Sequence, residues 1–180
     1  MGEKDAALRN MGTTFVGCVA RGRQVHVAHV GDSRAYLVRD GKVEQVTRDH
    51  TYLNDLVDIG LLQADKVANH PDRNIITRCV GMGASIQVDF NYREVKSGDA
   101  LLFCSDGLYN HVRPEEILDV LSRLDAQRAS QALTDLANQR GGEDNITVSI
   151  VKFLSIPEGF DAVQELEEKD GRASDTTPVV

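Results

Sequence analysis

Three aspartates in this 180-residue chain stand next to or near glycine at the ends of predicted strands. Asp106 follows one apolar strand pattern, Asp32 follows a second, and Asp144 precedes a third. A carboxylate at the rim of a core needs a hydrogen-bond donor, a proton or a cation. If the strands are neighbours, the three carboxylates converge, and only a cation lets all of them stay ionised. Such oxygen ligands favour Mg²⁺ or Mn²⁺ over zinc.

Simpler or competing interpretations exist for these residues. For Asp106 taken alone, an Asp-Gly turn that closes the strand is the simpler explanation. The segment Gly31-Asp32-Ser33 resembles a hydrolase serine motif, but Ala35 stands where a nucleophile elbow has its second glycine. The five histidines lack zinc-type spacing. No cysteine is followed by arginine at the spacing of the tyrosine-phosphatase loop, because Gln24, Ser85 and Asn110 occupy those positions.

The elements that must position the aspartates predict an α+β fold. Residues 13–47 read as an antiparallel meander of four strands with turns at 21–23 and 40–41. Residues 48–80 are irregular and partly helical, which suits either a flap over a site or a plain connection. A strand at 100–104, buried on both faces, is followed by a helix that begins at Pro114 and by a second helix. Residues 146–153 alternate as a final strand.

Composition narrows the class of protein. With 41% hydrophobic residues, the chain suits one globular domain at 1–155. The net charge is −8, aromatic residues make up 5% and tryptophan is absent, so nucleic-acid binding is not expected. Neither a C-x-x-C pair nor a long apolar run occurs, which predicts a cytoplasmic protein in a reducing compartment with no membrane association. Residues 156–180 predict an acidic, disordered tail.

Five segments, in order, resemble the motifs of the type 2C metal-dependent serine/threonine protein phosphatases, and of their bacterial branch in particular. They are Met11-Gly12-Thr13-Thr14, His29 to Leu37 (HVGDSRAYL), Val46 to His50 (VTRDH), Leu102 to Leu108 (LFCSDGL) and Gly142 to Val148 (GEDNITV). Each motif is weak by itself. Five of them in unbroken order with suitable gaps are strong.

The resemblance implies a fold, a site and a mechanism. The fold is a four-layer α-β-β-α sandwich of antiparallel sheets flanked by helices, with the metal site in a cleft at one end and residues 48–80 as its flap. Asp106 and Asp144 match two aspartates that hold a catalytic metal. Asp32 matches a position that binds an additional ion together with the Asp106 equivalent. Paired Mg²⁺ or Mn²⁺ ions then activate a water that hydrolyses phosphoserine or phosphothreonine in proteins, and the implied partner is an opposing serine/threonine kinase.

One departure from the family pattern bears on activity. Two early motifs, one ending Asn-Glu-Asp and one reading Asp-Gly-x-Gly-Gly-His, are absent from this chain. In the family, these motifs supply the aspartate that bridges the two metals. Because this chain lacks both motifs, the resemblance covers the last two-thirds of the domain, and the N-terminal part is missing. Three hypotheses follow: a truncated phosphatase domain, a non-catalytic phosphatase-like regulatory or binding module, or a fragment that folds poorly.

Overall fold

Seven strands form two antiparallel sheets in the computed structural model, which describes residues 11–83 and 85–156. Sheet A has the order β1-β2-β5, and sheet B has the order β4-β3-β6-β7. The predicted tail, apart from Ile156, lies outside the described residues. The strands are β1 (Phe15–Arg21), β2 (Gln24–Val30), β3 (Arg34–Arg39), β4 (Lys42–Gln45), β5 (Asp89–Glu94), β6 (Ala100–Cys104) and β7 (Val148–Lys152).

The prediction of a four-stranded meander is wrong, because β2 and β3 lie in different sheets. Both hairpins within it are present, since β1 pairs with β2 and β3 pairs with β4. The chain crosses from sheet A to sheet B at residues 31–33. Gly31 has a φ of +99° at this crossing, which glycine adopts without the steric cost of a side chain. Alternation of polar and apolar residues identifies strands but does not say which sheet each one joins.

Four α-helices lie in the described part of the chain: α1 (Tyr52–Asp58), α2 (Asp106–Tyr109), α3 (Pro114–Arg123) and α4 (Ala126–Gln139). A 3₁₀ turn covers Ala64–Lys66. The predicted helix start at Pro114 is confirmed, and Glu116 accepts a hydrogen bond of 3.0 Å from the backbone N–H of Arg113. Asp125 caps α4 by accepting from the backbone N–H of Arg128 at 2.8 Å.

Sheet B is the central layer because its strands pack on both faces. Leu37 and Leu101 belong to the core shared with β2 of sheet A. Tyr36 and Leu102, their chain neighbours, belong to the core shared with α3 and α4. Leu101 and Leu102 are fully buried, which confirms the prediction of a central strand buried on both faces.

Antiparallel sheets flanked by helices are confirmed, and the described residues contain three layers: sheet A, sheet B and the α3–α4 pair. None of the described helices covers the outer face of sheet A, where Phe90 is 76% and Val19 69% accessible. Within the described part, no helix combines the length and the apolar character needed to cross a membrane.

Candidate metal centre

Three strand ends meet at one edge of sheet B. The first residue of β3 is opposite the last residue of β6, which is in turn opposite the first residue of β7. Asp32 lies just before β3, Asp106 just after β6, and Asp144 in the loop before β7. The structure therefore brings all three predicted aspartates to the same edge, although they are far apart in sequence.

The turn into α2, which carries Asp106, is in direct contact with the loop that carries Asp144. The Ser105 hydroxyl donates to the backbone oxygen of Asn145 at 3.0 Å and accepts from the Thr147 N–H at 3.0 Å. The Ser105 N–H donates to the Thr147 oxygen at 3.2 Å. At Gly107, a Cβ atom would stand only 2.6 Å from the Asn145 oxygen. A residue without a side chain is thus needed where the two loops approach.

Asp32 is the most buried of the three, with 7% of its surface accessible. Burial raises the pKa of its carboxyl group, and the negative charge of Asp106 raises it further. Within residues 11–83 and 85–156, no other residue donates a hydrogen bond or forms a salt bridge to the carboxylate of Asp32 or Asp106. Two nearby anions with this little compensation fit a divalent cation with oxygen ligands.

Asp144 is exposed, and its carboxylate accepts a 2.6 Å hydrogen bond from the Asn145 N–H. The three aspartates do not form a tight cluster. In the described part of the chain, only one group of three acidic, cysteine or histidine side chains has all its ligand atoms within 4.8 Å, and these aspartates are not in it. Ions at this edge would therefore lie between more widely spaced carboxylates.

A partly buried ion pair that was not predicted from the sequence supports the backbone of Asp32. The Arg34 guanidinium donates to the Asp49 carboxylate at 2.6–3.0 Å and lies 3.5 Å from the centre of the Tyr109 ring. The Tyr109 hydroxyl donates to the Asp32 backbone oxygen at 3.1 Å. Burial, followed by the charge of Asp32, raises the pKa of Tyr109, so the hydroxyl keeps its proton. The available signal was an arginine directly before a predicted strand, because an arginine needs an acidic partner when it is buried.

A cavity of about 270 Å³ lies beside this support. It is bordered by Arg34 and Tyr109 on one side and by Asn54, Arg73 and Asn74 of the 48–80 segment on the other. The cavity adjoins the acidic edge without containing any of the three aspartates.

The 48–80 segment is fastened to the sheets at both of its ends. The His50 N–H donates to the Gly31 oxygen at 3.0 Å, and the Thr77 N–H donates to the His50 oxygen at 2.9 Å. Val80 exchanges two backbone hydrogen bonds with Thr13, at 2.8 and 3.0 Å. The segment therefore leaves and rejoins the sandwich beside the crossing that carries Asp32.

The tight group with ligand atoms within 4.8 Å consists of His29, His50 and Asp89. His50 Nδ1 accepts a hydrogen bond from the Gly31 N–H at 3.1 Å, so the proton of the neutral ring is on Nε2, 3.2 Å from an Asp89 oxygen. A metal bound at Nε2 would require the ring proton to be on Nδ1, where it would face the Gly31 N–H, so that two donors would meet without an acceptor. The Arg78 guanidinium, 3.1 Å from Asp89, already supplies the positive charge. This group is therefore a hydrogen-bonded network rather than a cation site.

Comparison with known proteins assigns the family. A model of the family described as protein phosphatase 2C matches residues 2–154. The serine/threonine phosphatase Stp of Listeria monocytogenes is 38% identical over 162 residues, which cover 89% of this chain and 64% of that protein. The chain belongs to the protein phosphatase 2C family. Its relatives in Listeria monocytogenes and Mycobacterium tuberculosis are named serine/threonine phosphatases.

Solved structures agree with this assignment. The Mycobacterium tuberculosis serine/threonine phosphatase PstP superimposes with a TM-score of 0.77 at 37% identity, covering 82% of this chain and 63% of that one. A PstP catalytic domain in complex with two manganese ions superimposes with a TM-score of 0.71 at 33% identity, covering 83% and 64%. The chain thus spans less than two thirds of these relatives, and 30% of the whole PstP sequence.

Proposed function

We propose that this chain is the metal-binding part of a phosphatase domain that hydrolyses phosphoserine and phosphothreonine in proteins. The observation that carries the proposal is the meeting of three strand ends at one edge of sheet B, with Asp32, Asp106 and Asp144 beside them. Family membership supports it, because relatives of known name are serine/threonine phosphatases and one was solved with two manganese ions.

The residues that would hold Mn²⁺ or Mg²⁺ are Asp106 with Asp144, and Asp106 with Asp32 for an additional ion. Bound ions of this kind lower the pKa of coordinated water and neutralise charge on a phosphoryl group. The chain's own residues prepare that site. The Ser105 hydroxyl holds the loops of Asp106 and Asp144 together, and Tyr109 holds the Asp32 backbone.

The remaining assignments are also proposals. Residues 1–155 form the phosphatase-type domain, and the 48–80 segment acts as a flap, which its position across the 270 Å³ cavity from Arg34 supports. Phosphorylated proteins are the substrates, with a serine/threonine kinase acting in the opposite direction. A cytoplasmic location is supported by three cysteines without disulfide bonds, Cys18, Cys79 and Cys104.

Calorimetric titration with Mn²⁺ tests the metal site on the chain as it is. We expect binding by the wild type and a loss of affinity of at least about 10- to 100-fold in Asp106→Asn, because loss of even a residue that supports a metal ligand costs this much. The substitution keeps the size of the side chain but removes its charge. Asp135→Asn is the matched control, because Asp135 lies on the exposed side of α4 and contacts Gln131. Equal affinity of wild type and Asp106→Asn would contradict the proposed site.

Phosphate release from a phosphothreonine peptide with Mn²⁺ tests the reaction. The chain is compared with a version extended at its start by the N-terminal third of Listeria monocytogenes Stp. We expect turnover in the extended version and its loss in the extended Asp106→Asn variant. Mn²⁺ binding without turnover in the extended version would favour a non-catalytic, phosphatase-like binding module.

A further inference from the structure

His50 connects three parts of the molecule through one buried ring. It lies at the start of the 48–80 segment with 3% of its surface accessible. Its backbone N–H donates to the Gly31 oxygen, and its side-chain Nδ1 accepts from the Gly31 N–H at 3.1 Å. Both backbone polar groups of the residue before Asp32 are therefore bound to His50.

The opposite side of the ring is fixed as well. Nε2 carries the proton, because Nδ1 accepts from a backbone amide, and Nε2 lies 3.2 Å from a carboxylate oxygen of Asp89 in β5. The groups facing the ring are Asp89, Arg78 and His29, whose ring stacks on that of His50 at a centroid distance of 4.7 Å. The orientation of the ring is thus set by sheet A and by the end of the 48–80 segment.

We propose that His50 is a positioning residue for the ion site at Asp32, which it serves by holding the Gly31–Asp32 backbone through Nδ1. The inference rests on the proposed function, in which Asp32 binds an ion together with Asp106. Asp32 has no hydrogen bond to its carboxylate from another described residue, so the direction of its side chain depends on the backbone that carries it. Two contacts hold that backbone: Tyr109 at the Asp32 oxygen and His50 at both polar groups of Gly31.

Two substitutions separate the two ends of the ring. In His50→Asn the amide oxygen stands near the Nδ1 position and still accepts from the Gly31 N–H. In His50→Gln the amide stands near the Nε2 position and keeps the polar contact with Asp89 while the Gly31 N–H loses its acceptor. Each variant loses one of these two polar contacts of the ring, so a purely structural role predicts similar behaviour for the two.

The first readout is hydrogen exchange at the Gly31 amide. We expect roughly fivefold faster exchange in His50→Gln and near wild-type exchange in His50→Asn, because one hydrogen bond of about 1 kcal/mol is lost. The Val46 amide, which donates to Ala35 at 2.8 Å, reports general loosening. Unchanged Gly31 exchange in His50→Gln, or equal acceleration at Gly31 and Val46, would overturn the proposal. So would a nitrogen-15 spectrum of the wild type that places the ring proton on Nδ1.

The second readout is the affinity for Mn²⁺, measured by calorimetry in a double-mutant cycle. We expect His50→Gln to weaken binding by about 10- to 100-fold and His50→Asn to weaken it much less. In an Asp32→Asn background, His50→Gln should have no further effect. The same loss in both backgrounds would refute a role through Asp32. Absence of Mn²⁺ binding by the wild type would defeat the proposed function instead, while exchange at Gly31 would still decide whether His50 holds the loop.

Discussion

Replacing Gly107 with alanine tests whether the contact between two loops controls the metal centre. Gly107 follows Asp106 directly, and its backbone does not have the positive φ that would by itself disfavour alanine. An added Cβ would stand 2.6 Å from the Asn145 oxygen and 3.1 Å from a carbon of the Ile146 side chain. The strain in Gly107→Ala would therefore come from this contact rather than from an unfavourable backbone conformation.

The size of the effect follows from the geometry. Ordinary van der Waals contact of a Cβ begins at 3.4 Å, so the two backbones must separate by about 0.8 Å (3.4 − 2.6). Overpacking of this kind costs about 1–3 kcal/mol of folding stability. Because Asp106 and Asp144 stand next to Gly107 and Asn145, the same displacement moves their carboxylates apart. We expect an accompanying fall in Mn²⁺ affinity of about 10- to 100-fold.

Urea denaturation measures the stability of Gly107→Ala, and calorimetric titration measures its affinity for Mn²⁺. Gly83→Ala is the matched control, because its nearest neighbour, the Ser85 oxygen, is 3.6 Å from the added Cβ and its φ is not positive. Unchanged stability of Gly107→Ala would show that the loops do not meet as closely as described. Reduced stability with wild-type Mn²⁺ affinity would refute the argument that loop separation sets the metal site.

Two further predictions concern charges near the acidic edge. Asp32→Asn should raise the stability of the ion-free chain by about 1 kcal/mol at neutral pH, because it removes a buried anion close to Asp106. The same substitution should reduce the stabilisation that Mn²⁺ provides. Urea unfolding with and without the ion measures both effects, and an ion-free variant less stable than the wild type would contradict the reasoning. Burial lowers the pKa of His50, and the charges of Arg78 and His29 lower it further, while Asp89 opposes the shift. Because the unfolded chain then binds a proton more readily than the folded chain, the stability should fall as the pH drops below about 6.5. Between about pH 7.5 and 5.5, the urea midpoint should fall less steeply with decreasing pH in His50→Asn than in the wild type. Identical slopes in the two proteins would contradict the assignment of this pH dependence to His50.

The sequence predicted most of the secondary structure because local patterns determine it. The central strand 100–104 and the helix start at Pro114 carry strong signals: an unbroken apolar run, and a proline followed by acidic residues. The distribution of strands between two sheets was not predictable in this way. β2 and β3 read as consecutive members of one meander, but they lie in different sheets that face each other across one core, to which Val27 of β2 and Leu37 of β3 both belong.

The candidate site shows the same division between local and non-local information. The aspartates were proposed from their places at strand ends, and the register of sheet B supplies the adjacency that the sequence lacked. The supporting residues were missed, because Arg34 and Asp49 are an unremarkable pair until burial makes each require the other. His50 was set aside with the other histidines because their spacing does not suit zinc, and its two polar contacts depend on residues 19 and 39 positions away in the chain.

The crossing between the sheets explains why these contacts gather at Gly31 and Asp32. Residues in a connection between two sheets do not take part in the hydrogen bonds of either sheet, so their backbone groups need other partners. Here His50 and Tyr109 provide them, and each arrives from a different element, one from the 48–80 segment and one from α2 beside Asp106. A displacement of either element must therefore move the Asp32 carboxylate. If Asp32 binds an ion, this coupling makes the ion's affinity depend on the position of the 48–80 segment, although none of the three proposed ligands lies in that segment.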